Sequence, residues 1–367
     1  MITSDQQKSL LPFGQKLLMS QTYIETTSSG LSEVARAILH ELHPGRQATQ
    51  WSTASPEVVA LRLLDYLSSK KSYIRRKSLS FRTKEVYQQI MPQFVPAIIA
   101  GRPITMNAIC LCTNLCSTEL VGESPYPHMA SYLGLENLHK ILQGARHIYE
   151  PGITITLGFE GNLFKPMFFH NDKVITATLA TLQELNDTAY TVVTSETSTN
   201  PITILDAEWM IAQAFGSTTI FSRLVTERAT TISADATPGW QDWYDQSTAN
   251  HYFTSRRHKA ELTQQLAKWR NAVCSFKYAG GRLNGGFMRY SEDIIPFTMS
   301  GRRQNLVALQ FVPENPYMPH HRAMSYCPAT NKWRMKSYKE LQEDSASYAP
   351  RLIGDYDHPF YYEKQNA

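Results

Sequence analysis

The run Ile104-Thr105-Met106-Asn107-Ala108-Ile109-Cys110, reached through Gly101-Arg102-Pro103, decides the fold. Its apolar residues Ile104, Met106, Ala108 and Cys110 take alternate positions, the period of a strand that buries one face. A second run of the same kind, Ile153, Ile155, Leu157 and Phe159, follows Pro151-Gly152. Between them Leu135, Leu138, Ile141, Leu142, Ala145 and Ile148 recur three and four residues apart, as they do on one face of a helix. Strand, helix and strand in this order form a right-handed crossover unit. The chain is therefore expected to be α/β, with a mixed or parallel sheet flanked by helices.

Working outward, residues 1–100 read as mostly helical. Ser32-Glu33 opens a stretch with Val34, Ala37, Ile38 and Leu42 at helical spacing, and Pro44-Gly45 ends it. Ser55-Pro56-Glu57 announces the next helix: Ser55 can cap it, and Pro at the first helical position loses no hydrogen bond. Downstream, a helix is expected over 174–185 with Asn171 or Asp172 as its cap, and further helices over 206–230 and 257–275. Residues 235–252 read as an irregular loop. Runs at 287–291, 294–299 and 306–312 read as strands separated by turn-like breaks, which predicts an antiparallel addition to the sheet. The Tyr-rich, polar segment beyond 350 carries little pattern. The organisation expected is a helical region over 1–100, an α/β catalytic region over 101–350 and a tail over 351–367, folded as one compact unit.

Composition narrows the functional classes. The 367 residues are 42% hydrophobic and 19% charged, enough for a sizeable core. With 36 Lys+Arg against 32 Asp+Glu, the net charge of +4 is too small and too mixed to argue for nucleic acid or a membrane surface. The dense basic cluster Lys70, Lys71, Arg75, Arg76 and Lys77 reads as a solvated helix end, or as a contact for phosphate or an acidic partner. Five cysteines are no disulfide framework and point to a reducing compartment. Neither a signal-peptide core nor an apolar run of membrane length is present, so a soluble, cytoplasmic protein is expected.

The metal and nucleotide motifs fail on spacing. Cys110, Cys112 and Cys116 lack a second pair at a zinc-like interval, and burial in the core explains them at least as well. His40-Glu41-Leu42-His43 is one residue short of the His-Glu-x-x-His zinc helix. No Gly-x-Gly-x-x-Gly fingerprint and no Walker loop occurs, and the glycine-rich segment 280–286 precedes a strand, as a hairpin or lid would. No metal and no cofactor is therefore expected. The site-like residues lie elsewhere. Glu160 follows the strand 153–159, where α/β sheets hold ligands, and is a candidate for acid–base work. Pro319-His320-His321-Arg322 sets imidazoles beside a guanidinium, while Arg289, Arg302 and Arg322 bracket the C-terminal strands with groups suited to carboxylate or phosphate.

In the order of its motifs the chain resembles the pyoverdine/dityrosine-biosynthesis proteins, whose characterised members are amino-acid isocyanide synthases. The likeness runs over about residues 32–340. It comprises Ala35-Arg36-Ala37-Ile38-Leu39, Arg102-Pro103-Ile104, Ile148-Tyr149-Glu150-Pro151-Gly152 and Phe159-Glu160-Gly161, then His170-Asn171-Asp172-Lys173-Val174, Met288-Arg289-Tyr290-Ser291 and Met318-Pro319-His320-His321. The resemblance implies a Rossmann-like fold and the joining of an L-amino acid to the carbonyl of ribulose 5-phosphate, with fragmentation to an isocyanide. It implies catalytic roles for Glu160, His320 and His321 on the imine and sugar, and substrate contacts from Arg289, Ser291, Arg302, Arg322 and His170. Four motif positions depart from the family. Leu111-Cys112-Thr113-Asn114 replaces a Pro-x-Lys-Ser segment, and Pro127-His128 with Ser131 replaces Pro-Asp followed by Glu. Phe159-Glu160-Gly161 replaces Ser-Asp-Gly, and Arg289-Tyr290-Ser291-Glu292-Asp293 replaces Arg-Leu-Ser-Ile-His.

The resulting expectation is a biosynthetic enzyme of secondary metabolism that modifies the amino group of an L-amino acid or derivative. Its partner is a small-molecule substrate, with a sugar phosphate as the co-substrate the family implies, and neither nucleic acid nor membrane. The alternatives are a different amino-acid-modifying reaction on the same fold, or a non-catalytic binding or regulatory protein. The oligomeric state is left open.

Overall fold

The structure, a computed structural model, describes residues 33–42, 55–69, 84–111, 127–159, 161, 172–194, 199–217, 219, 293–299, 306–312, 323–336, 338–352 and 359–365. Three helices come first: α1 (Glu33–Leu42), α2 (Pro56–Ser69) and α3 (Lys84–Ile99). Pro56 stands at the first position of α2, and the Ser55 hydroxyl donates to the Glu57 carboxylate. Val58, Leu61, Leu64 and Leu67 bury the inner stripe of α2. Tyr87 of α3 donates to Asp65 at 2.8 Å, and Lys84 pairs with Glu41, which ties the three helices together.

The expected crossover unit follows as β1 (Ile104–Leu111), α4 (Met129–Arg146) and β2 (Ile153–Phe159). Gly152, at φ +72°, closes the turn into β2 by donating its N–H to the Tyr149 carbonyl at 2.8 Å. The Tyr149 hydroxyl reaches the Ala97 and Arg102 carbonyls and clamps the end of α3 to the start of β1. Then come α5 (Asp172–Val193), β3 (Ile202–Asp206), α6 (Ala207–Phe215), β4 (Ile294–Thr298) and β5 (Val307–Ala308). The five strands form one sheet in the order β3-β2-β1-β4-β5, and every pair in it is parallel. This is an α/β fold of the Rossmann-like kind, and the described residues ahead of its first strand form three helices.

Four sequence expectations are corrected. The strands at 294–299 and 306–312 join the main sheet in parallel, not as an antiparallel addition. The physical sign was there: Ile294–Thr298 is buried at every position, as parallel strands covered on both faces are. The short strand Ile202–Asp206 was not foreseen. The helix expected over 206–230 stops, in its described part, at Phe215, because Gly216 at φ +78° turns the chain out of helix. α5 runs eight residues past the expected Leu185, to Val193. Its threonine hydroxyls are satisfied within the helix, since Thr178, Thr181, Thr188 and Thr191 each donate to the carbonyl four residues earlier. The segments 235–252, 257–275 and 287–291 lie outside the described residues, as does the basic cluster at 70–77.

A second sheet has the order β7-β6-β9-β8, built from β6 (Ala323–Cys327), β7 (Lys332–Lys336), β8 (Tyr348–Arg351) and β9 (Tyr361–Lys364). A short helix, α7 (Tyr338–Glu343), precedes β8. The end of the chain, patternless in the sequence, thus supplies a central strand. The Phe360 carbonyl accepts from the Met129 N–H, and α4 touches both β2 and β6. α4 is in consequence buried almost all round, wedged between α5 and the two sheets. Residues of α1 to α5, the parallel sheet and the second sheet share one apolar core.

Candidate functional site

Because all five strands of the main sheet are parallel, their carboxyl ends share one edge: Leu111, Phe159, Asp206, Thr298 and Ala308. The chain lays down β1, β2 and β3 in one direction and returns to place β4 on the other side of β1. That reversal makes the carboxyl ends of β1 and β4 a topological switch point, and in open α/β sheets ligands bind in the crevice at such a point. In the chain, Glu160 directly follows β2, Arg302 follows β4, and His320, His321 and Arg322 precede β6. Glu160, His170, Arg289, Ser291, Arg302, His320, His321 and Arg322 all lie outside the described residues.

What the structure does place near this edge is the start of α4. A crossover helix returns the chain from the carboxyl to the amino ends of the strands, so its first turn lies toward the crevice. His128 caps it: the Nδ1 atom accepts the Ala130 N–H at 3.1 Å, and the ring is 2% exposed. With Nδ1 used as acceptor, the neutral ring carries its hydrogen on Nε2. Tyr132, Glu136 and Lys140 follow at successive turns of the same helix. Glu136 is buried and ion-paired with Lys140. Burial raises its carboxyl above the usual carboxylate range, and Lys140 and the Tyr132 hydroxyl pull it back in part. The Tyr132 hydroxyl is itself pushed upward, first by burial and then by the neighbouring Glu136 charge.

On the next face of α4, His139 Nε2 lies 3.0 Å from Asn186 Oδ1, and Asn186 Nδ2 donates to the Ile202 carbonyl at 2.9 Å. Since the Asn186 amide nitrogen is spent on Ile202, its oxygen must accept, and His139 Nε2 is the donor. This chain of bonds joins α4, α5 and β3. Burial lowers His139 to about 4, against the opposing pull of Asn186. At β3, the Asp206 carboxylate accepts the Glu208 N–H at 2.8 Å and caps α6 on the same carboxyl edge.

The sequence reading passed over Tyr132, Glu136, His139 and Lys140, because it saw in α4 only the apolar stripe, and over Asn186, which lies on α5 beyond the expected end of that helix. The spacing itself was visible: His128, at the cap, and Tyr132, Glu136 and Lys140 in the helix recur every four residues and so share one face. Of this row, His128 orients the helix end through its cap and Glu136 is neutralised by Lys140. Among the described residues no group of three or more His, Cys, Asp or Glu side chains is placed to share a metal ion, and no helix is long and apolar enough to cross a membrane.

No protein-family model matches the sequence, and no curated protein matches it significantly. The fold does have a counterpart among solved structures. The crystal structure of the PvcA protein from Pseudomonas aeruginosa superposes with a TM-score of 0.61 at 19% identity, over 84% of this chain and 100% of that one. The fold described above is thus similar to that of PvcA along the whole PvcA chain.

Proposed function

We propose that the protein is a biosynthetic enzyme of secondary metabolism that modifies the amino group of an L-amino acid or amino-acid derivative, in the manner of the isocyanide synthases it resembles. The observation that carries this reading is where the ordered motifs fall on the fold. Arg102-Pro103-Ile104 leads into β1, Ile148 to Gly152 leads into β2, Glu160 follows the last residue of β2, and Asp172 begins α5. Of these motifs, the one ending at Gly161 meets the carboxyl edge of the sheet, while those before β1 and β2 lie at the amino ends of their strands. The fold likeness to PvcA adds support.

In this reading Glu160, His320 and His321 handle protons at the substrate nitrogen and at a carbonyl co-substrate. Arg289, Arg302, Arg322, Ser291 and His170 hold carboxylate or phosphate, and His128 steadies the first turn of α4 at the crevice. The reading is tested by mass spectrometry of the purified protein incubated with each proteinogenic L-amino acid and ribulose 5-phosphate, with Glu160→Gln in parallel. An isocyanide mass formed by the wild type and lost in the variant is expected. Absence of turnover with every amino acid would discard the reaction and favour a binding role.

A further inference from the structure

Among the described residues β3 is the outermost strand on its side of the main sheet. The Pro201 carbonyl accepts the Ile155 N–H at 2.8 Å, so the odd-numbered residues of β3 turn their backbone groups toward β2. Backbone groups alternate in direction along a strand, and Ile202 and Ile204 therefore aim theirs outward. Three of those outward groups are taken by side chains. Asn186 Nδ2 donates to the Ile202 carbonyl at 2.9 Å, Gln183 Nε2 donates to the Ile204 carbonyl at 3.0 Å, and the Ile202 N–H donates to Asn200 Oδ1 at 2.9 Å. Gln183, Asn186 and Asp187 stand three and four residues apart on one face of α5. Asn200 Nδ2 donates to Asp187 Oδ1 at 2.9 Å, and His139 Nε2 donates to Asn186 Oδ1 at 3.0 Å. Both asparagine amides are thereby held at their second atom, in the orientation their bonds to β3 require.

A bare edge strand is a template for another strand, and proteins guard it with charge, a bulge, proline or a covering element. The first three are missing from the outer side of β3. Ile202 to Leu205 carries no charge, and the one acid of the strand, Asp206, accepts the Glu208 N–H as the cap of α6. Pairing with β2 runs without a register shift, and the N–H that Pro201 lacks would face β2. Ile202, Thr203 and Ile204 are β-branched, the residue type that strands favour. Thr203 and Gln183 are exposed, so solvent reaches this edge. We propose that Gln183, Asn186 and Asn200 form a side-chain seal that closes the outer edge of β3 against pairing with β3 of a second copy of this chain. The seal does not depend on the catalytic reading above.

The test is Gln183→Ala/Asn200→Ala, which removes two of the three bonds and leaves the buried contact of Asn186 with His139 in place. Hydrogen exchange at single-residue resolution and sedimentation velocity are measured on the full chain, wild type and variant. In the wild type the Ile202 amide is expected to be protected although it faces away from the sheet, a readout that requires no variant to fold. In the dilute variant it should exchange about tenfold faster, the worth of one hydrogen bond. On concentration the variant should self-associate beyond the wild type, with Ile202 protected again. Adding Thr203→Lys, a charge on the opened edge, should return it to the wild-type state. An unprotected Ile202 amide in the wild type, an unchanged exchange rate or unchanged association in the folded variant, or association that Thr203→Lys leaves intact would each overturn the proposal.

Discussion

Replacing His139 by Gln should remove a defined part of the protein's acid sensitivity. The wild-type ring is 2% exposed and stays neutral down to about pH 4 in the folded state, whereas the unfolded ring protonates near 6.5. Below pH 6.5 the unfolded chain therefore takes up a proton that the folded chain refuses. Stability is intact above about 6.5, falls as the pH drops toward 4, and levels off once folded His139 itself protonates. At 1.36 kcal/mol per unit the full loss is about 3 kcal/mol, most of which falls between pH 7 and about pH 4.5. Glutamine can still donate to Asn186 Oδ1 but has no proton to gain. Urea unfolding followed by intrinsic fluorescence at both pH values, for wild type and His139→Gln, gives the comparison. Carboxylates elsewhere contribute equally to both proteins and cancel. The variant should lose about 2 kcal/mol less than the wild type on acidification, and equal losses would refute the account of His139 as a buried, neutral donor.

Two further perturbations probe the packing of α4. A Cβ at Gly134 would stand 2.3 Å from the Phe311 ring, which is 3% exposed and held in place by Asn137 bonds to the Gln310 and Phe311 carbonyls. Gly134→Ala should thus cost about 1–3 kcal/mol despite the better helix propensity of Ala, and an unchanged thermal midpoint would show that this contact yields freely. Lys140→Met leaves the buried Glu136 carboxylate without its cation, so a loss of about 3 kcal/mol is expected at pH 7. Because burial holds Glu136 above the usual range, that loss should shrink as the pH is lowered and the carboxyl protonates. A loss that stayed constant with pH would mean that Glu136 is not charged in the variant.

The parts of this fold that could be read in the sequence are those governed by local periodicity. β1, α4 and β2 follow from alternation, then three- and four-residue recurrence, then alternation again, and Pro56 marks the start of α2 without any tertiary contact. β3 escaped because Ile202 to Asp206 is too short to separate from the helix that follows. The orientation of β4 escaped because parallel or antiparallel pairing depends on which strand lies alongside. The polar row on α4 was hidden because a charged residue inside a helix normally faces water. Here Glu136 is buried on a helix that packs against α5 and touches both sheets, contacts made by segments far from it in the chain.

The sequence by itself determined the crossover unit, the helical N-terminal part and the α/β class, since each rests on the spacing of apolar residues within one segment. Only the tertiary structure decided that all five main strands run parallel, that a switch point opens between β1 and β4, and that His139, Asn186 and Ile202 meet. The same holds for the side-chain amides that close the outer edge of β3. Those features join residues as far apart as Met129 and Phe360, and such contacts form only when distant apolar faces are buried together.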